Sequence, residues 1–121
     1  MKKIISIFLL FSIKIMMANV SLPYIFSDNM VLQRNAEIPI WGFASPKEKI
    51  TIHFQKQTKT TVADENGNWR VLLNKEKEGG PFILKINGNN KIIFKNILIG
   101  DVWLCSGQSN MEWNLASADG Y

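Results

Sequence analysis

The chain has 121 residues, 14 Lys and Arg against 10 Asp and Glu, and 46% hydrophobic residues, enough for one small body with its own core. One cysteine, Cys105, excludes an intrachain disulfide and a cysteine-built zinc cluster, and reads as a small buried hydrophobe. Setting aside residues 1–18, which carry Lys2, Lys3 and Lys14, leaves 11 basic against 10 acidic residues and a net charge of +1 rather than +4. No clustered basic face remains for a nucleic-acid partner, which is therefore not expected.

Those first residues have the outline of a secretory signal peptide. Lys2 and Lys3 are a basic start, Ile4 to Ile13 an apolar run, and Ala18 can precede a cleavage site. Lys14 interrupts the apolar region, and Met16 is large for the position three before the cut. The uninterrupted run is too short to cross about 30 Å of hydrocarbon, and no cysteine lies directly after it. The expectation is a secreted or periplasmic protein without a stable membrane anchor. Asn19-Val20-Ser21 matches a glycosylation triplet at the proposed cut.

From Asn19 the chain reads as strands. Leu22 to Phe26 is an apolar stretch expected to form a first strand, with Pro23 at its start or on an edge. Met30 to Arg34 is a second short strand. In the next, Ile38 to Phe43, Ile38 and Ile40 share one face with Gly42, and Pro39 and Trp41 the other. Ile50, Ile52 and Phe54 alternate with Thr51, His53 and Gln55, the period of a half-buried strand. Lys56-Gln57 is the expected hairpin turn before the β-branched run Thr58 to Ala63. Asp64 to Asn68 is a strong turn signal. Trp69, Val71 and Leu73 alternate after it. Lys75 to Gly80 is a charged loop, followed by a strand with Phe82, Leu84 and Ile86 on one face. Asn87 to Asn90 turns again, and apolar residues continue through Ile99. Short strands with turn chemistry between them predict an all-β antiparallel sandwich, jelly-roll or immunoglobulin-like, over residues 19–99.

The character changes at Gly100. Val102-Trp103-Leu104-Cys105 reads as a buried strand, Ser106 to Asn110 as a small polar turn, and Met111 to Ala118 as a helix start. Strand, tight turn and helix is a layout that lifts a serine hydroxyl above the end of a sheet. The turn's N–H groups and the helix dipole can stabilise an oxyanion at the same spot. The same residues also fit a plain helix cap, with Ser109 and Glu112 spaced as a capping box.

The literal string distinguishes the two. Gly100 to Trp113, with Gly-Gln-Ser-Asn-Met at its centre, closely resembles the first sequence block of the sialate O-acetylesterase family, within the SGNH/GDSL-type serine esterases. Phe26 to Gln33, Pro39 to Gly42 and Asp64 to Trp69 fit the same resemblance. Asn114 departs from it, because proline is usual after Glu-Trp. The resemblance implies a nucleophile at Ser109, whose own backbone N–H joins the oxyanion hole. Gly107, Gln108 and Asn110 would shape the turn, and Glu112 would be a cap or a substrate-side residue. It implies removal of O-acetyl groups from acetylated sialic acid or a related acetylated glycan, with no cofactor and no metal. Residues 100–121 would then be the truncated start of an α/β hydrolase domain. In the family, the base histidine and its acidic partner come from later blocks, so this chain alone is expected to be inactive. His53, the single histidine, alternates away from the core and is not a fitting base. Without the rest of that domain, Val102, Trp103 and Leu104 must pack onto the sandwich or stay exposed. A second reading is a non-catalytic module that binds glycan on Trp41 and Trp69 or braces a hydrolase domain.

Overall fold

The computed structural model describes residues 18–107, and all of the regular structure among them is β. The strands are β1 (Val31–Gln33), β2 (Ile38–Phe43), β3 (Lys49–Phe54), β4 (Gln57–Val62), β5 (Asn68–Leu73), β6 (Gly79–Asn87) and β7 (Lys91–Gly100). Five of them form one sheet in the order β1-β7-β6-β3-β4, and β2 and β5 form a separate two-stranded ribbon. The inner faces of both sheets bury one shared core. Ile50, Ile52, Phe54, Leu84, Ile86 and Ile97 come from the large sheet, and Ile38, Ile40, Trp69 and Leu73 from the ribbon. Each fully buried aliphatic or aromatic side chain here contributes roughly 1.5–3 kcal/mol relative to exposure.

The period-two reading holds for β2, β3, β5 and the second half of β6, whose alternate residues face the core. The β3–β4 hairpin turns one residue earlier than expected. Phe54 pairs with Gln57, so the two turn residues are Gln55 and Lys56, and Gln55 takes the left-handed conformation at φ 52°.

Leu22 to Phe26 does not form the expected strand. Ser21, just before it, bridges to the ribbon through two backbone bonds with Phe43, and the Phe26 N–H then closes a turn on the Pro23 carbonyl. Pro23 has no N–H to donate to a ladder, and the turn exposes Tyr24 and Ile25 while sinking Phe26 into the core.

Nor is the sheet wholly antiparallel. β1 lies parallel to β7, with Val31 beside Leu98. The cause is a clasp just upstream. Asp28 and Asn29 bind the backbone of Lys95, and the Asn29 side chain accepts from Asn96. Asn96 sits at φ 57°, and between Leu84–Phe94 and Phe82–Ile97 the β7 strand carries one extra residue. This bulge switches the inward phase from Ile92 and Phe94 to Ile97 and Ile99. From the clasp the chain can only continue alongside the end of β7.

The start of the described chain is also pinned. Val20 is buried, and Asn90 bonds both its N–H and its carbonyl. Glu48, a buried carboxylate, accepts the N–H groups of Ser45 and Asn89 and so ties two turns together. Gly42 allows the close approach of Ser21, whose carbonyl oxygen would lie 2.1 Å from any Cβ there.

Candidate functional site

The Gly-Gln-Ser-Asn-Met block follows β7 in the chain, and the described structure reaches only its first residue, Gly107. The ladder ends where its partners end. Gly79 stands opposite Ile99, and Gln33 opposite Gly100. Arg34 makes the last backbone bond, donating to the Gly100 carbonyl. The strand expected over Val102 to Cys105 is therefore absent. Among the described residues Val102 is hydrogen-bonded through its N–H to the Gln33 side chain, and Trp103 and Leu104 are 84% and 95% exposed. Cys105 is exposed rather than buried. Gly107 is exposed and in no strand. Gln108, Ser109, Asn110 and Glu112, with the helix expected from Met111, lie outside the described residues.

At the root of this segment sits an ion-pair cluster that the periodic reading missed. The Arg34 guanidinium binds Asp101 at 2.8 Å and Glu78 at 3.2 Å. Hydrogen bonding to Arg34 holds the Asp101 carboxyl below its ordinary range. The Glu78 carboxyl is lowered first by its own backbone N–H and then by Arg34. Arg34 is raised in turn, mainly by Asp101. The cluster anchors the chain at the step before the serine block. The only available signal was a set of isolated charges far apart in sequence, which has no period to read.

His53 lies on the outer face of β3, its Nδ1 3.1 Å from the Thr58 hydroxyl across the hairpin. That is the solvent-side placement expected of it.

The two tryptophans separate. Trp41 stands on the outer face of the ribbon, 38% exposed, with Phe26 packed edge-on at 4.7 Å between ring centroids. Trp69 is 3% exposed and belongs to the core. The expectation that Trp69 offers a ring face to a sugar is therefore wrong. Its neighbour across the ribbon is Gly42, which leaves the indole room to lie inward. Both residues nevertheless contribute to the wall of an open groove of about 750 Å³, with Phe43, Asn68 and Arg70, but the Trp69 indole itself is turned to the core. Arg70 is the direct cross-strand partner of Trp41. The Trp69 Nε1 is buried and has no hydrogen-bond partner among the described residues. No cluster of three or more metal-ligating side chains occurs among them either.

No protein-family profile matches the chain. Individual proteins do. It is 37% identical over 100 residues to a sialate O-acetylesterase of Homo sapiens, covering 71% of this chain and 19% of that protein. The Mus musculus sialate O-acetylesterase is 35% identical over 102 residues, covering 74% and 19%. A crystal structure of a carbohydrate acetylesterase from Xanthomonas citri superposes with a TM-score of 0.76 at 41% identity, over 80% of this chain and 22% of that one. The chain belongs to the sialate O-acetylesterase family. It spans about a fifth of the length of the relatives it matches.

Proposed function

We propose that this sequence is the N-terminal part of an exported carbohydrate esterase that removes O-acetyl groups from sialic acid or related glycans. The similarity to sialate O-acetylesterases carries this reading. The Gly-Gln-Ser-Asn-Met string directly downstream of β7 supports it at the level of residues.

The Ser109 hydroxyl would attack the acetyl carbonyl as a base takes its proton. The tetrahedral oxyanion would be held by the Ser109 N–H and further donors. Its collapse would release the sugar hydroxyl, protonated by the same acid–base group, and leave acetyl-Ser109. Water would then free acetate and restore the serine. His53 does not fit the base, since it faces outward on β3 and bonds Thr58. The base is assigned to residues beyond this chain, so the 121 residues alone turn over no ester. Residues 1–18 would direct export. Residues 19–99 form a β-sandwich that serves chiefly to brace the hydrolase domain. Ile25, Val31 and Val102, which border an apolar cleft at the end where the chain leaves β7, support the bracing role.

The test is acetate release from an O-acetylated sialoside by the protein isolated from its own host, together with its intact mass. The reading expects a mass several times 13.8 kDa and a loss of at least about 10³-fold in turnover for Ser109→Ala. Full turnover by the Ser109→Ala protein would overturn it.

A further inference from the structure

We propose that the outer face of the five-stranded sheet is a docking surface for an anionic lipid bilayer, made by Lys49, Lys85, Lys91 and Lys95 with Ile83 and Ile93 among them. This goes beyond the esterase reading and does not depend on it.

The lysines are scattered in the sequence, and the sheet gathers them. Ile50, Ile52, Leu84 and Ile86 point inward, so Lys49 on β3 and Lys85 on β6 point outward. Up to its bulge, β7 turns Ile92 and Phe94 towards the core and Lys91, Ile93 and Lys95 away from it. The register then sets them side by side. His53 stands opposite Lys85, and Lys85 opposite Ile93. One row along, Thr51 stands opposite Asn87, and Asn87 opposite Lys91. Lys95 is two residues from Ile93 on β7, and Lys49 two from Thr51 on β3. Neighbouring positions of such a grid are about 5–7 Å apart.

The charge on this face is one-sided. The five strands of the sheet contain no Asp or Glu. Asp28 borders the face at one corner, where its carboxylate accepts the Lys95 N–H. All four lysines are exposed, and neither salt bridge among the described residues involves them. Residues 18–107 hold 11 Lys and Arg and 8 Asp and Glu. Setting these four lysines aside leaves seven cations against eight carboxylates, so the excess positive charge of the described body sits here. Like charges gathered in this way repel one another, and a surface of opposite charge relieves the repulsion.

The side chains around the lysines favour a lipid surface. A nucleic acid calls for arginine forks or stacking aromatics. The strands of this sheet hold no arginine, and their Phe54, Phe82 and Phe94 belong to the core or pack against it. Ile83 and Ile93 are instead 48% and 40% exposed beside the lysine stems. Ammonium groups reach lipid phosphates while aliphatic stems and isoleucines rest on the headgroup boundary. Lys49 and Lys91 also lie at the end of the sheet away from Gly100, so the chain that follows β7 departs from the other end.

The test is co-sedimentation of the protein from its own host with vesicles of phosphatidylglycerol and phosphatidylcholine, and with vesicles of phosphatidylcholine alone. Binding is expected to the anionic vesicles and not to the neutral ones, and is expected to fall away in high salt. Each lysine at an anionic leaflet is worth roughly fivefold in binding. The double variant Lys85→Gln and Lys91→Gln should therefore bind about 25-fold more weakly. Lys75→Gln with Lys77→Gln removes the same net charge from the loop before β6 and should change binding less than about twofold. Residues 1–18 are identical in every variant, so their own basic and apolar character cancels in the comparison. Equal binding to the two kinds of vesicle, or equal loss in the two double variants, overturns the docking face. Tighter binding to duplex DNA at the same phosphate concentration overturns the lipid assignment. Cooperative urea unfolding shows that each variant is folded. Binding is read without turnover, so a failed esterase assay leaves this result standing, and the reverse holds as well.

Discussion

Two apolar triplets lie within eight residues of each other and meet opposite fates. Ile97-Leu98-Ile99 is the end of β7, with Ile97 and Ile99 in the core. Val102-Trp103-Leu104 is also made of hydrophobic residues and is exposed throughout. The difference is not in the residues but in what stands beside them. β7 has β6 on one side and β1 on the other as far as Gly100. Beyond that point, among the described residues, the Val102 N–H bonds the Gln33 side chain and the Asp101 carboxylate pairs with Arg34. A strand needs a neighbour to accept and donate its ladder bonds, and apolarity alone does not supply one.

Substitutions should break this contrast in graded ways. Ile97→Ala, which opens a cavity in the core, is expected to cost about 2–5 kcal/mol in urea unfolding. Trp103→Ser is expected to stay within about 0.5 kcal/mol. Comparable costs for the two would show that the exit segment packs against the body in solution. Next in size is Glu48→Ala, which strands the N–H groups of Ser45 and Asn89 and should cost about 1–3 kcal/mol. Asn90→Ala should cost about 1–2 kcal/mol, because it frees Val20 at the start of the described chain. Faster exchange of the Val20 amide, with the β3 amides unchanged, would confirm that the loss is local.

The smallest expected effect is at the exit itself. Asp101 and Glu78 titrate below their ordinary values of 3.8 and 4.5 when folded. Lowered carboxylates stabilise the pair fully above those ordinary values, and the contribution fades as the pH falls through the lower folded ones. The tether should therefore be intact at neutral pH and release only in acid, below about pH 4. Both groups are exposed, so global stability should hardly respond. The checking measurement is exchange at the Val102 amide, which should quicken in acid and in Arg34→Gln at neutral pH. An Arg34→Gln protein whose Val102 amide is as protected as in the parent would show that the Gln33 side chain alone holds the segment.

Strand positions in the body were legible because half-buried strands write their burial as alternation, as Ile50, Ile52 and Phe54 do. The errors fall where a partner or a backbone device decides. Asn96 looks like any polar residue, yet its left-handed conformation reverses the phase of β7. β1 is too short to carry a direction, and its parallel pairing comes from the Asp28–Asn29 clasp. Trp69 was legible as an inward residue by alternation with Val71 and Leu73, so its promotion to a sugar platform went against its own strand pattern. The Gly-Gln-Ser-Asn-Met string carries the family resemblance, which periodicity could not have supplied.

Ser109 is proposed above as the nucleophile of a carbohydrate esterase. The most direct test of that role is to label the protein from its own host with a fluorophosphonate and map the modified peptide. One adduct is expected, on Ser109, prevented by prior incubation with an O-acetylated sialoside. An adduct on a different serine, or hydrolysis that persists with Ser109 unlabelled, would contradict it.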